Sequence, residues 1–151
     1  MKLNRISIIF CLLGLTMPCL ASNITGNTEF LKRNYEGAIE EYKETLSNDS
    51  TKSSSETYAL YRIGECYSYL NEAEEAVNYL NEAITSGYQE ADAYLIYGKN
   101  LQKLGKYKLA KAAFEEVERL QPTNPLVKNL KASCDFAIRF SSQNPISPEE
   151  Y

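Results

Sequence analysis

Along residues 57–124, large apolar, small and polar positions recur at a fixed spacing. Leu60, Ile63, Gly64 and Tyr67 stand at i, i+3, i+4 and i+7, one face of a helix. Tyr94, Tyr97, Gly98 and Leu101 repeat that opening 34 residues later. Ala76 and Leu80 follow in the first copy, Ala110 and Phe114 in the second, and Pro122 closes it. A unit of this length with two amphipathic halves predicts a helix–turn–helix hairpin, written over residues 57–90 and again over 91–124. The glycine lets a second helix approach, because it has no side chain to hold the backbones apart. Ala76 and Ala110 are the small residues expected to face the glycines at that crossing. Such a hairpin cannot bury its apolar face alone, so about three stacked units are needed.

The flanking stretches fit the same period. Gly26 and Ala38 precede Gly64 and Ala76 by 38 residues, one period plus four. Residues 22–47 therefore read as a first, shortened hairpin, and the polar stretch Ser47–Ser54 absorbs the extra residues as a loop. Gly87 and Gly105 are placed to end helices in the left-handed conformation. Asn71-Glu72-Ala73-Glu74 reads as a helix start with acids in its first turn. Asn124-Pro125 restarts a helix after Pro122. Residues 125–140 are expected to be a single helix capping the open end of the stack, with 141–151 as a tail or linker.

The motif large-x-x-large-Gly-x-x-large, then Ala-x-x-x-large, then Pro, at a period of 34, resembles the tetratricopeptide repeat (TPR) family over residues 24–140. Leu60 and Tyr94 stand where the family pattern has Trp. The resemblance implies an all-α superhelix whose leading helices line a concave groove that receives a peptide segment. At 100° per residue, Tyr58, Tyr61, Arg62, Glu65 and Tyr69 point away from Leu60 and Ile63. The next repeat puts Asp92, Leu95, Ile96, Lys99 and Lys103 at the equivalent places. This apolar and basic strip is the candidate partner-binding surface, since Tyr and Arg are favoured at interfaces. The alternative is that the strip covers core and meets the terminal helix or tail. TPRs that bind chaperones clamp a carboxylate with a Lys/Asn/Lys/Arg set. Only the basic character is similar here, so that specificity is not carried over. A shorter similarity, Leu130–Ala137 followed by Gln143-Asn144-Pro145, points to Bacteroidetes envelope proteins. In those, the TPR part leads into a β-propeller and an outer-membrane-protein-A-like, peptidoglycan-binding domain.

Chemistry changes this picture little. With no His, the His-dependent triads and His–metal sites are excluded. Glu72, Glu74 and Glu75 read as solvated helix surface rather than acid–base partners. The glycines are singletons, so no phosphate-binding loop is present, and neither cofactor nor metal is implied. An acidic net charge of −4 argues against nucleic acid as the main partner. Asn23-Ile24-Thr25 and Asn48-Asp49-Ser50 match the glycosylation triplet, which matters only in a eukaryotic secretory pathway. Cys66 and Cys134 read as small core residues. Two periods separate them, roughly 20 Å at one helix spacing per repeat, too far for a disulfide.

Residues 1–21 read as a cleaved signal peptide. Lys2 and Arg5 precede an apolar run from Ile6 to Met17, and Pro18 leads into Cys19-Leu20-Ala21. That run is too short to span a membrane. An uncleaved anchor, a buried first helix and lipidation at Cys19 are the alternatives; Pro18 is not the small residue that a lipobox places before its Cys. Export to the periplasm or cell envelope is therefore expected. N-terminal sequencing of exported protein should begin at Ser22, whereas a lipid-bearing start at Cys19 would replace this reading with a lipoprotein.

Overall fold

The computed structural model describes residues 17–46 and 54–143. Most of the expected signal segment, most of the Ser47–Ser54 loop and residues 144–151 lie outside the described residues. Among those described there are seven α-helices and no strand. They are α1 (Met17–Leu31), α2 (Tyr35–Leu46), α3 (Ser54–Tyr69), α4 (Ala73–Thr85), α5 (Ala91–Lys103), α6 (Tyr107–Leu120) and α7 (Val127–Gln143). Each helix packs mainly on its neighbours in the chain, as in a solenoid. The hairpins are α1–α2, α3–α4 and α5–α6, with α7 against α6. The all-α repeat architecture expected from the spacing is present. The helix α1 runs through Ala21, so its 15 residues span the expected cleavage point.

The turns inside the hairpins share one construction. Arg33, Asn71 and Gly105 are left-handed, with φ of 62°, 64° and 70°. The residue after each donates its backbone N–H back across the turn: Asn34 to Glu29, Glu72 to Tyr67 and Lys106 to Leu101, at 2.9–3.0 Å. This satisfies carbonyls that a helix end leaves open. Asn71 therefore closes α3 and does not start α4. Its side-chain oxygen accepts from Lys103 Nζ, and α4 begins at Ala73, after Glu72, with Glu74 and Glu75 in its first turn. Gly87, with φ of 107°, ends α4 as expected. At the last junction Asn124 Oδ1 accepts the Leu126 N–H at 3.1 Å, and the regular helix starts at Val127. It continues to Gln143, three residues beyond the expected end.

The hairpins close over their glycines. A Cβ on Gly64 would lie 2.6 Å from Leu80 Cγ, and one on Gly98 would lie 2.5 Å from Phe114 Cε1. Gly26 stands in the same relation to Tyr42. The large residue of the second helix thus fills the space left by the glycine. This corrects the expectation that Ala110 faces Gly98. Ala76 and Ala110 are fully buried, but the atoms nearest to a Cβ at either glycine belong to the large partner.

Three core clusters follow one another along the stack. The first gathers Ala38, Tyr42, Ile63 and Cys66; the second Leu60, Ala76, Leu80 and Ala93; the third Leu101, Phe114, Val117 and Cys134. Tyr58, Tyr67 and Tyr79 pack against the first two and Tyr97 against the last two, so shared tyrosines join the clusters. The helix α7 is tied to α6 by Lys111–Asp135 and Lys131–Glu118 ion pairs. Its outward Phe136 and Phe140 stay exposed and stack on each other.

Two predictions follow from the packing. Gly98→Ala and Ala110→Leu both add bulk to filled sites, and overpacking costs about 1–3 kcal/mol. That exceeds the up to about 1 kcal/mol that alanine gains over glycine in a helix. Both variants should melt several degrees lower, and an unchanged midpoint would show that the crossing is not as tight as described. Cys66 and Cys134 are free and sit in separate clusters. Burial pushes the Cys66 thiol up to about 12 and raises that of Cys134. Thiol reagents should leave both untouched in folded protein starting at Ser22 and count two after unfolding without reductant.

Candidate functional site

Helices α1, α3 and α5 lie side by side, and polar side chains tie them. Asn23 Nδ2 donates to Ser55 Oγ at 2.6 Å, and Asn100 Nδ2 donates to Ser68 Oγ at 2.8 Å. Lys103 Nζ reaches Asn71 Oδ1 at 3.1 Å, and Gln102 Nε2 reaches Ser133 Oγ on α7 at 3.0 Å. Asn100 is fully buried and its Oδ1 has no partner.

The strip expected on this face divides into three kinds of residue. Tyr69, Asp92, Lys99 and Lys103 are exposed. Tyr58, Arg62, Glu65, Leu95 and Ile96 are half-buried. Tyr61 is only 8% exposed, and its ring stacks on Tyr88 at 4.6 Å. The expectation that Tyr61 points away from the core is corrected. It packs in the second cluster, because the neighbouring leading helix, with Ala93, closes over it.

Arg62 is held from several sides. Its Nη1 donates to Glu65 Oε2 at 2.6 Å and its Nε to the Tyr42 hydroxyl at 3.1 Å. Its guanidinium lies 3.7 Å from the centre of the Phe30 ring. The Tyr42 and Tyr58 hydroxyls both donate to Asn27 Oδ1, at 2.6 and 2.7 Å. Burial works against the Arg62 charge, but the Tyr42 hydroxyl and Glu65 outweigh it and hold its pKa above the ordinary arginine value. Burial raises the Glu65 carboxyl despite the pull of Arg62. The Tyr61 hydroxyl is a second hydrogen-bond partner of the carboxylate, and burial outweighs both. Burial also pushes the Tyr42 and Tyr88 hydroxyls up to about 12. These groups form a hydrogen-bonded floor under the face. Among the described residues, Lys99, Lys103 and Asp92 of the strip make no ion pair, so the strip is basic by one on an acidic chain.

Sequence reasoning missed Asn27, Phe30, Tyr42 and Tyr88. Asn27 was within reach of it, because it follows Gly26 as Glu65 follows Gly64 and Lys99 follows Gly98. The ring of Phe30 and the hydroxyl of Tyr42 come from another repeat, and no spacing within one repeat indicates them. Among the described residues, no group of three or more Cys, Asp or Glu is arranged to hold a metal ion, and no helix is long and apolar enough to cross a membrane.

Residues 91–124 and residues 58–86 each match the tetratricopeptide repeat family. No curated protein sequence matches the chain. Many solved structures are similar to it. One is the first TPR of Spaghetti (RPAP3) bound to the HSP90 peptide SRMEEVD, with 22% identity over 82% of this chain and 95% of that one and a TM-score of 0.72. Another is the second TPR domain of human RPAP3 in complex with the HSP70 peptide SGPTIEEVD, with 25% identity, 80% and 98% coverage and a TM-score of 0.70. The Sgt2 TPR domain from Aspergillus fumigatus shares 19% identity, with 90% and 89% coverage and a TM-score of 0.69. With its repeat spacing, its glycine crossings and these matches, the chain carries tetratricopeptide repeats at residues 58–86 and 91–124 and has the fold of a TPR domain.

Proposed function

We propose that this chain is a non-catalytic interaction module that holds an extended protein segment along the face of α1, α3 and α5. The observation that carries this is the make-up of that face. Tyr58, Tyr61 and Tyr88 form a packed aromatic row, ring centres 4.6–6.4 Å apart, beside half-buried Leu95 and Ile96 and the exposed Lys99 and Lys103. Similar structures hold peptides of two chaperones. The row is fixed before a partner arrives, which lowers the entropy cost of binding. Lys99 and Lys103 on the next leading helix favour a segment with apolar anchors and one or two acids, and act mainly on association rate and specificity. We place this work outside the cytoplasm, on the strength of the charged start and apolar run of residues 1–21.

A second reading is favoured by the exposed Phe136 and Phe140 on α7, 66% and 58% accessible. An outward aromatic pair on the last helix suits a further packed element, as in a structural module of a larger, wall-anchored envelope protein.

Capture from an envelope fraction, with residues 22–151 as bait, tests the module reading. Lys99→Glu with Lys103→Glu should keep its helix content, slow association with the captured partner and flatten or reverse its salt dependence. A double variant that binds like the parent would move the partner off this face. Tyr61→Ala should behave differently, removing a buried, stacked ring at a cost of about 3 kcal/mol in stability. Tyr61→Phe should retain most of it. Urea unfolding of the two variants distinguishes a core tyrosine from a surface anchor.

A further inference from the structure

A recess at the α1–α2 turn lies beside the leading-helix face. Phe30, Leu31, Arg33, Tyr35 and Tyr69 line about 410 Å³ there. The Tyr35 and Tyr69 rings stack at 4.8 Å and 4°, and Phe30 meets both edge-on at 5.5 and 5.7 Å. Leu31 is 83% exposed and Tyr69 59%, an apolar edge open to water. Arg33 adds an independent observation. It occupies the left-handed turn position that Asn71 and Gly105 hold in the other hairpins. Asn and Gly tolerate that conformation, and a long side chain is disfavoured in it. Backbone strain of this kind gathers at ligand sites. Among the described residues Arg33 makes no ion pair.

We propose that this recess binds a large apolar side chain of a partner segment that carries a carboxylate beside it. The three rings and Leu31 seat the side chain, and Arg33 takes the carboxylate. A cation at the rim opposes the other common use of an aromatic-lined pocket, capture of an ammonium group. The proposal rests on the reading of the chain as a segment-binding module and gives that segment a second contact point. Phe30 joins the two places, because the ring that meets Tyr35 and Tyr69 also lies against the Arg62 guanidinium.

N-acetyl-L-phenylalanine and its carboxamide are suitable probes, titrated into labelled protein and followed by amide NMR. The acid should give saturable shifts at residues 30–35 and 69. The carboxamide should bind roughly two- to fivefold more weakly, the range of an exposed ion pair. Arg33→Gly should remove the difference between the probes and at the same time raise the melting temperature, since glycine suits the turn. No saturable shift at those residues, or equal affinity of the two probes for the parent, would overturn the proposal. So would an Arg33→Gly protein that melts lower, because Arg33 would then serve the fold. A protein that fails this titration yet loses its captured partner on Lys99→Glu with Lys103→Glu loses the recess and keeps the module reading.

Discussion

The approach of paired helices at Gly26, Gly64 and Gly98 sets most of what the molecule is. With no Cβ there, Tyr42, Leu80 and Phe114 enter the space and become fully buried. That contact fixes how each hairpin closes, and so which faces remain for the next one. Three similar crossings give three core clusters joined by shared tyrosines, instead of one central core. The left-handed residue at the end of each leading helix serves the same purpose, because it returns the second helix over the glycine.

The same arrangement ties recognition to stability. Tyr42 fills the Gly26 crossing with its ring and holds Arg62 and Asn27 with its hydroxyl. Tyr61 lies on the leading-helix face and also packs in the second cluster. The floor of the candidate groove is therefore the outer layer of the core. A floor of this kind costs a partner little ordering. Its specificity has to come from the residues standing on it, Asp92, Lys99 and Lys103, and from the edge.

The fold was legible because the repeat makes each local signal appear more than once. Gly64 alone says little, but Gly64 and Gly98 at the same phase with Leu80 and Phe114 to follow define a hairpin. The period also locates faces, and it placed Tyr58, Arg62 and Lys99 on one side. It does not say how far the next repeat leans over that side. Tyr61 was read as free because Tyr88 and Ala93, which cover it, belong to another turn and another helix. Asn71 was misread for a similar reason. Asn suits both a helix start and a left-handed helix end, and only the backbone bond from Glu72 to Tyr67 decides between them. Arg33 gave no signal at all, since nothing in its identity suggests a positive φ.

The ties between leading helices have one more consequence. Asn23–Ser55, Ser68–Asn100 and Gln102–Ser133 fasten neighbouring units on a single side of the array, like the stitched spine of a book. A stack of nearest-neighbour units can loosen from its ends one unit at a time. A segment laid along the spine would touch several units at once and act as a splint. Occupancy would then couple the first hairpin to the last helix and convert stepwise fraying into a single cooperative opening. Tethering strength would be transmitted along the length of the protein, in addition to being exerted at the point of contact.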